Sequence, residues 1–266
     1  MDSANGTAPQ SDNYFRDLAI LDWLGELGAT ETIGETGINR YDLPETAPTL
    51  KTSAPAVTRP AIKENTKSIP NSEAIAAACT DIEMLQKTLF EFEDCPLKKG
   101  ARSTVFADGN PGAQVMVIGD TPDRDEDRSG RPFSGQTGNL LDRMLAAIDL
   151  SRHAETGDAA FYATCLSPWR TPQGRDLSDV EIKLLRPFVL RHIALANPRF
   201  LILMGSQPTK NLLGFDKAIS HTRGQWGQVA GIPALAMFSP ANLLRNPLHK
   251  RAAWADLLAL KARLKG

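Results

Sequence analysis

Apolar residues are spaced in two ways along this chain. From Tyr14 to Gly28, Phe15, Leu18, Ala19, Leu21, Leu24 and Leu27 recur at three- and four-residue steps, which predicts one amphipathic helix behind a small, polar, disordered tail of residues 1–13. Thr46 to Asn71 is rich in Pro, Ala, Thr, Ser and Lys without periodicity and reads as a linker. Ser72 opens a helix whose stripe of Ile75, Ala78, Ile82, Leu85 and Leu89 runs to about Phe90. Beyond Cys95 the spacing changes. Val115 to Gly119, Ala160 to Cys165, Phe200 to Gly205 and Ala234 to Phe238 are short, nearly continuous apolar runs, as strands buried on both faces require. Helices are expected between them at Gln136 to Asp149, Ser178 to Ala196, after Ser206, and from Pro247 to Leu264.

Strands alternating with helices predict an α/β fold with three α/β/α layers and a mostly parallel central sheet. The division follows: residues 1–71 form an N-terminal helix and linker, and residues 72–266 form one domain. Function is expected at the carboxyl ends of the strands.

Composition narrows the classes. Of 266 residues, 42% are hydrophobic and 23% charged, with no apolar run near the ~20 residues that span a bilayer. No basic segment followed by an apolar core opens the chain, so a cytoplasmic protein without a membrane partner is expected. Cys79, Cys95 and Cys165 cannot build a disulfide framework, and their spacing fits no zinc or redox motif. Residues 1–95 carry 7 Lys+Arg against 16 Asp+Glu, while residues 96–266 carry 23 against 15. A basic C-terminal body suits a binder of phosphate backbones, or is an ordinary lysine- and arginine-bearing surface.

Three strand exits hold the candidate chemistry: Gly119-Asp120-Thr121-Pro122-Asp123, Cys165-Leu166-Ser167-Pro168, and Ser239-Pro240-Ala241-Asn242-Leu243-Leu244-Arg245. With Gly119 to Leu150, GDTPDRDEDRSGRPFSGQTGNLLDRMLAAIDL, they resemble the uracil-DNA glycosylase superfamily, most closely its thermostable, iron-sulfur family 4. Arg186-Pro187, Gly205, Gly224, Trp226 and Leu243-Leu244-Arg245-Asn246-Pro247 extend the resemblance. It implies hydrolysis of the N-glycosidic bond of a deaminated base in DNA, by a monomer. Such an enzyme must extrude the nucleotide, hold the base, stabilise its departure and direct water to the sugar.

The resemblance assigns the residues. Phe133 matches the stacking platform; an Arg-Pro-Phe-Ser-Gly turn is a poor place to bury an aromatic, although a core role is the alternative. Asp120 stands where the family has a water-orienting glutamate, or else caps the next turn. Ser239 would donate to the base, and groups near Thr121 and Cys165 would read its edge. Leu243 would wedge into the stack, with Arg245 and Lys250 on phosphates. Glu126 and Asp127 would organise their loop, through Arg131.

This chain departs from the pattern at two kinds of position. Ser239 replaces the family's histidine and Cys165 its base-reading asparagine; a hydroxyl carries no positive charge, and a thiol is a weak donor and acceptor. Each lost donor is worth about 10² to 10³ in rate. The four cluster cysteines read Phe92, Cys95, Trp169 and Leu185. One thiolate cannot hold a four-iron cluster, so no metal is expected and an apolar plug is predicted in its place. Two readings follow: a glycosylase with weak or altered specificity, or a member that binds nucleic acid or a partner without catalysis.

Overall fold

The computed structural model describes residues 72–265. The helix expected at Tyr14–Gly28 and the linker expected from Thr46 lie outside the described residues. The described chain runs α1 (Ser72–Ala78), α2 (Ile82–Glu91), β1 (Ala107–Gly109), β2 (Val115–Gly119), α3 (Arg124–Ser129), α4 (Gly135–Ala146), β3 (Phe161–Cys165), α5 (Asp179–Ala196), β4 (Phe200–Met204), α6 (Ser206–Leu213), α7 (Ile219–Thr222), β5 (Trp226–Val229), β6 (Ile232–Met237), α8 (Pro240–Arg245) and α9 (Lys250–Lys265).

The six strands form one sheet in the order β1-β3-β2-β4-β6-β5. The central four are parallel, with Val117 opposite Ala163 and Ile202, and Leu203 opposite Ala236; β1 and β5 close the edges antiparallel. Successive strand residues point to opposite faces, and the core divides accordingly. Met116, Ile118, Tyr162, Leu201 and Leu203 pack with Leu85, Leu185, Phe188 and Ile193 of α2 and α5. Val115, Val117, Ile202, Met204, Leu235 and Met237 pack with Leu141 and Leu145 of α4 and Leu257 and Leu260 of α9. The result is the three-layer α/β/α fold that the buried apolar runs imply.

Local differences from expectation have local causes. The helix expected from Ser72 to Phe90 breaks at Cys79–Asp81, because the Asp81 carboxylate accepts the Met84 amide (2.7 Å) and starts a new helix. The carbonyl freed at Cys79 accepts the Arg191 guanidinium at 2.8 and 2.6 Å. The edge strands β1 and β5 are short and only partly buried, so no apolar run marks them. Two exits read as loops contain short helices: Asp123 and Glu126 form a reciprocal capping box on α3, and Ser239 caps α8 ahead of Pro240.

Candidate active site

Because β2, β3, β4 and β6 are parallel, Gly119, Cys165, Met204 and the segment after Met237 finish at the same edge of the sheet. A cavity of about 500 Å³ opens there, lined by Asp120, Thr121, Glu126, Phe133, Cys165, Met204 and Ser239 among others. The three exits thus meet around one space, within the size range of ligand pockets, ~300–1,000 Å³.

Phe133 is held from both sides of its residue. Its φ is 50°, a left-handed conformation that non-glycine residues rarely adopt. Its amide donates to Oε1 of Glu126, and its carbonyl accepts Nη2 of Arg152 at 3.3 Å. Arg152 is itself buried, donating to Asp108 (2.6 Å) and Asp142 (2.8 Å). The residue is only 6% exposed and belongs to the apolar cluster that includes Val117, Ile202 and Met204. The expectation that this turn is a poor place to bury an aromatic is therefore corrected: the turn folds inward because Glu126 and Arg152 satisfy its backbone. The ring nonetheless lines the cavity and lies across Gly119, where a Cβ would come within 2.7 Å of Cζ.

Two carboxyls sit here, Glu126 buried and Asp120 half-buried. Oδ1 of Asp120 accepts the amide of Gln207 in the first turn of α6 (3.1 Å), so Asp120 is anchored across the sheet edge rather than capping its own turn. Gly205, at φ 112°, leaves the room this needs, since a Cβ there would lie 2.1 Å from Oδ2. Burial pushes Asp120 up to about 7, against the lowering effect of the Gln207 amide. Glu126 is likewise pushed up to about 7 by burial. Its Oε2 accepts the Asp123 amide (2.7 Å) while Oε1 takes Phe133, so it ties the β2 exit to the stacking turn. Arg131 plays no part in this; it pairs with Asp108 at 2.9 Å. Asp127 accepts the amides of Arg102 (2.8 Å) and Ser103 (3.2 Å).

Ser239 faces the cavity while its Oγ accepts the Asn242 amide (3.3 Å), which leaves its O–H free to donate. Thr121 and Cys165 line the same space, and burial raises the Cys165 thiol well above its ordinary value, keeping it neutral.

Comparison with known sequences decides what frame this is. Residues 106–258 match the family model described as the Uracil DNA glycosylase superfamily, which is more than half of the chain. The chain belongs to that superfamily. Among its relatives are the type-4 uracil-DNA glycosylases of Pyrobaculum aerophilum (27% identical, covering 66% of this chain and 91% of the relative), Archaeoglobus fulgidus (28%, covering 62% and 84%) and Saccharolobus solfataricus (29%, covering 69% and 87%).

Within this uracil-DNA glycosylase frame one expected site residue is misplaced. Leu243 is 1% exposed and packs with Phe238 and Ala253, so it holds α8 down and cannot enter a base stack. Helical period is the reason: Leu243 and Leu244 point about 100° apart, and Leu244 (39%) and Leu248 (92%) are the exposed apolar residues of this segment. Arg245 lines the cavity, whereas Lys250 lines a separate groove with Trp254 between α4 and α9.

The four positions corresponding to cluster cysteines do come together in space. Phe92, Cys95, Trp169 and Leu185 belong to one apolar cluster, with the rings of Phe92 and Trp169 stacked at 6.5 Å and Phe188 edge-on to Phe92 at 5.0 Å. Cys95 is fully buried and its thiol is raised by that burial. This donor set does not fit an iron-sulfur cluster, which wants four thiolates.

Sequence reasoning did not single out Arg152, nor Arg124 and Arg170, two residues that also line the cavity. The Asp-x-x-Glu capping box was the available signal for Glu126; an arginine buried by pairing with distant carboxylates leaves no local trace.

Proposed function

We propose that this chain is a DNA glycosylase that hydrolyses the N-glycosidic bond of uracil or another deaminated base in DNA, with weak or altered specificity. The observation that carries this is the convergence of Asp120, Phe133 and Ser239 on one cavity at the carboxyl edge of the parallel strands. An extruded base stacks on Phe133. The bond between the base nitrogen and C1′ breaks with its electron pair leaving on the base, and the Ser239 O–H donates to the anion that forms. Ionised Asp120 orients a water whose oxygen bonds C1′ and takes the proton it releases. Backbone groups near Thr121 and Cys165 read the base edge.

The reading extends to a monomer acting on single- or double-stranded DNA in the cytoplasm, without an iron-sulfur cluster. The stacked Phe92–Trp169 pair supports the last point by filling the volume with carbon.

A second reading, binding without catalysis, is favoured by the neutral thiol of Cys165 where the family places an amide. One experiment separates them. Oligonucleotides carrying uracil, hypoxanthine or xanthine are incubated with the protein, abasic sites are cleaved with alkali, and products are resolved on a denaturing gel. Product that vanishes in Asp120→Ala and Phe133→Ala establishes the enzyme. Salt-dependent DNA binding with no product from any base establishes the second reading.

A further inference from the structure

The cavity is electrostatically divided. Glu126 is a buried carboxyl and Asp120 a half-buried one, yet Arg124, Arg170 and Arg245 line the same space. Each arginine comes from a different exit: Arg124 opens α3 behind β2, Arg170 follows β3, and Arg245 ends α8 behind β6. Arg124 and Arg245 are exposed and Arg170 half-buried.

Five of the twelve other arginines among the described residues are ion-paired. Arg128 pairs with Asp125, Arg131 and Arg152 with Asp108, Arg175 with Glu181 and Arg223 with Asp256. The three at the cavity form no ion pair among the described residues; Arg245 makes one 3.4 Å contact with the Ala241 carbonyl. Arg124 is unpaired even between two aspartates. Asp123 is engaged in capping, accepting the Asp125 and Glu126 amides at 2.8 and 2.9 Å, and Asp125 is held by Arg128 at 3.0 Å.

Guanidinium groups left free at the mouth of an acidic pocket suit a polyanion. When ionised, Asp120 and Glu126 repel phosphates, and cations lining the same space offset that repulsion. The planar guanidinium fork matches phosphate oxygens two at a time. We infer that Arg124, Arg170 and Arg245 form a three-point clamp on the phosphodiesters flanking the extruded nucleotide. This rests on the reading of DNA as substrate and assigns the residues that hold its backbone.

The test measures binding, not excision. The probe is a short single-stranded oligonucleotide with a tetrahydrofuran abasic analogue, which cannot be cleaved, and affinity is followed against salt for the full chain and for Arg124→Gln/Arg170→Gln/Arg245→Gln. Each lost phosphate contact lowers the slope of log K against log salt by about 0.7 on a single strand, so the triple variant is expected to lose about 2. Methylphosphonates on both sides of the analogue should weaken wild-type binding and leave the triple variant's nearly unchanged. A triple variant that melts like wild type yet keeps its salt slope overturns the clamp, as does equal sensitivity of both proteins to the neutral linkages. A lost slope in a chain that releases no base would keep the clamp and refute the glycosylase reading; an unchanged slope with uracil release would do the reverse.

Discussion

The ring of Phe133 crosses Gly119 so closely that a single methyl at residue 119 would meet Cζ at 2.7 Å. The ring therefore has its position set from beneath by a missing side chain. Gly119→Ala should tilt or lift the ring and lower excision by about 5- to 150-fold, the range of a lost base–aromatic stack. Steady-state kinetics on a uracil oligonucleotide check this. An unchanged kcat/KM would mean that the ring is core alone.

In the proposed mechanism Asp120 must be ionised to take a proton from water. Because burial raises it to about 7, excision should climb as pH rises through 7 and level off above. Asp120→Asn should lower the rate by about 10²- to 10⁴-fold and erase that limb. Glu126 titrates in the same range, so Glu126→Gln is the control and should keep the limb. The reverse pattern would make Glu126 the base. The same shifts affect folding. Both carboxyls hold protons in the folded state that the unfolded chain releases at lower pH, so their burial makes the domain less stable as pH rises from about 4.5 to 7.

On the proposed mechanism Ser239 has two separable duties. Ser239→Ala removes the α8 cap, which costs about 1 kcal/mol, and removes the donor to the departing base, which is worth about 10²- to 10³-fold in rate. Thermal melting and kcat measured on one preparation distinguish them. A rate loss no larger than the stability change explains would show that the hydroxyl serves the helix only.

Leu243→Ala and Leu248→Ala should behave oppositely. Truncating the buried Leu243 should destabilise the domain by about 2–5 kcal/mol. Truncating the exposed Leu248 should move stability by less than about 0.5 kcal/mol while weakening binding to a duplex. Urea melts and duplex affinity decide it, and duplex binding insensitive to both Leu244→Ala and Leu248→Ala would remove this segment as the source of a wedge.

Trp169→Ala should cost about 3–5 kcal/mol, as for other large buried aromatics, and the purified protein should contain no stoichiometric iron. Iron near four atoms per chain would contradict the plug.

The layers of this fold were legible because a strand buried on both faces has to be apolar throughout, as Val115–Ile118 and Phe200–Met204 are. The half-buried edges were not, since β1 and β5 carry little apolar signal. The same split runs through the site. Asp120, Cys165 and Ser239 sit at strand ends and could be placed from the alternation of elements alone. Leu243 could not be told from Leu244 until the short helix containing them was known, because a step of one residue turns a helical side chain by about 100°. Arg152 holds Phe133 by donating directly to its carbonyl and is itself placed by Asp108 and Asp142, and no spacing in the sequence announces that meeting.

The seat of Asp120 on the first turn of α6 extends the reach of the site. Its carboxylate is hydrogen-bonded to that helix, so substitutions at the buried Thr209 or Leu212 should shift the proposed water-directing group by displacing the helix beneath it. Inherited variation on the hidden side of α6 thereby becomes a means of tuning turnover without altering any residue that a substrate meets.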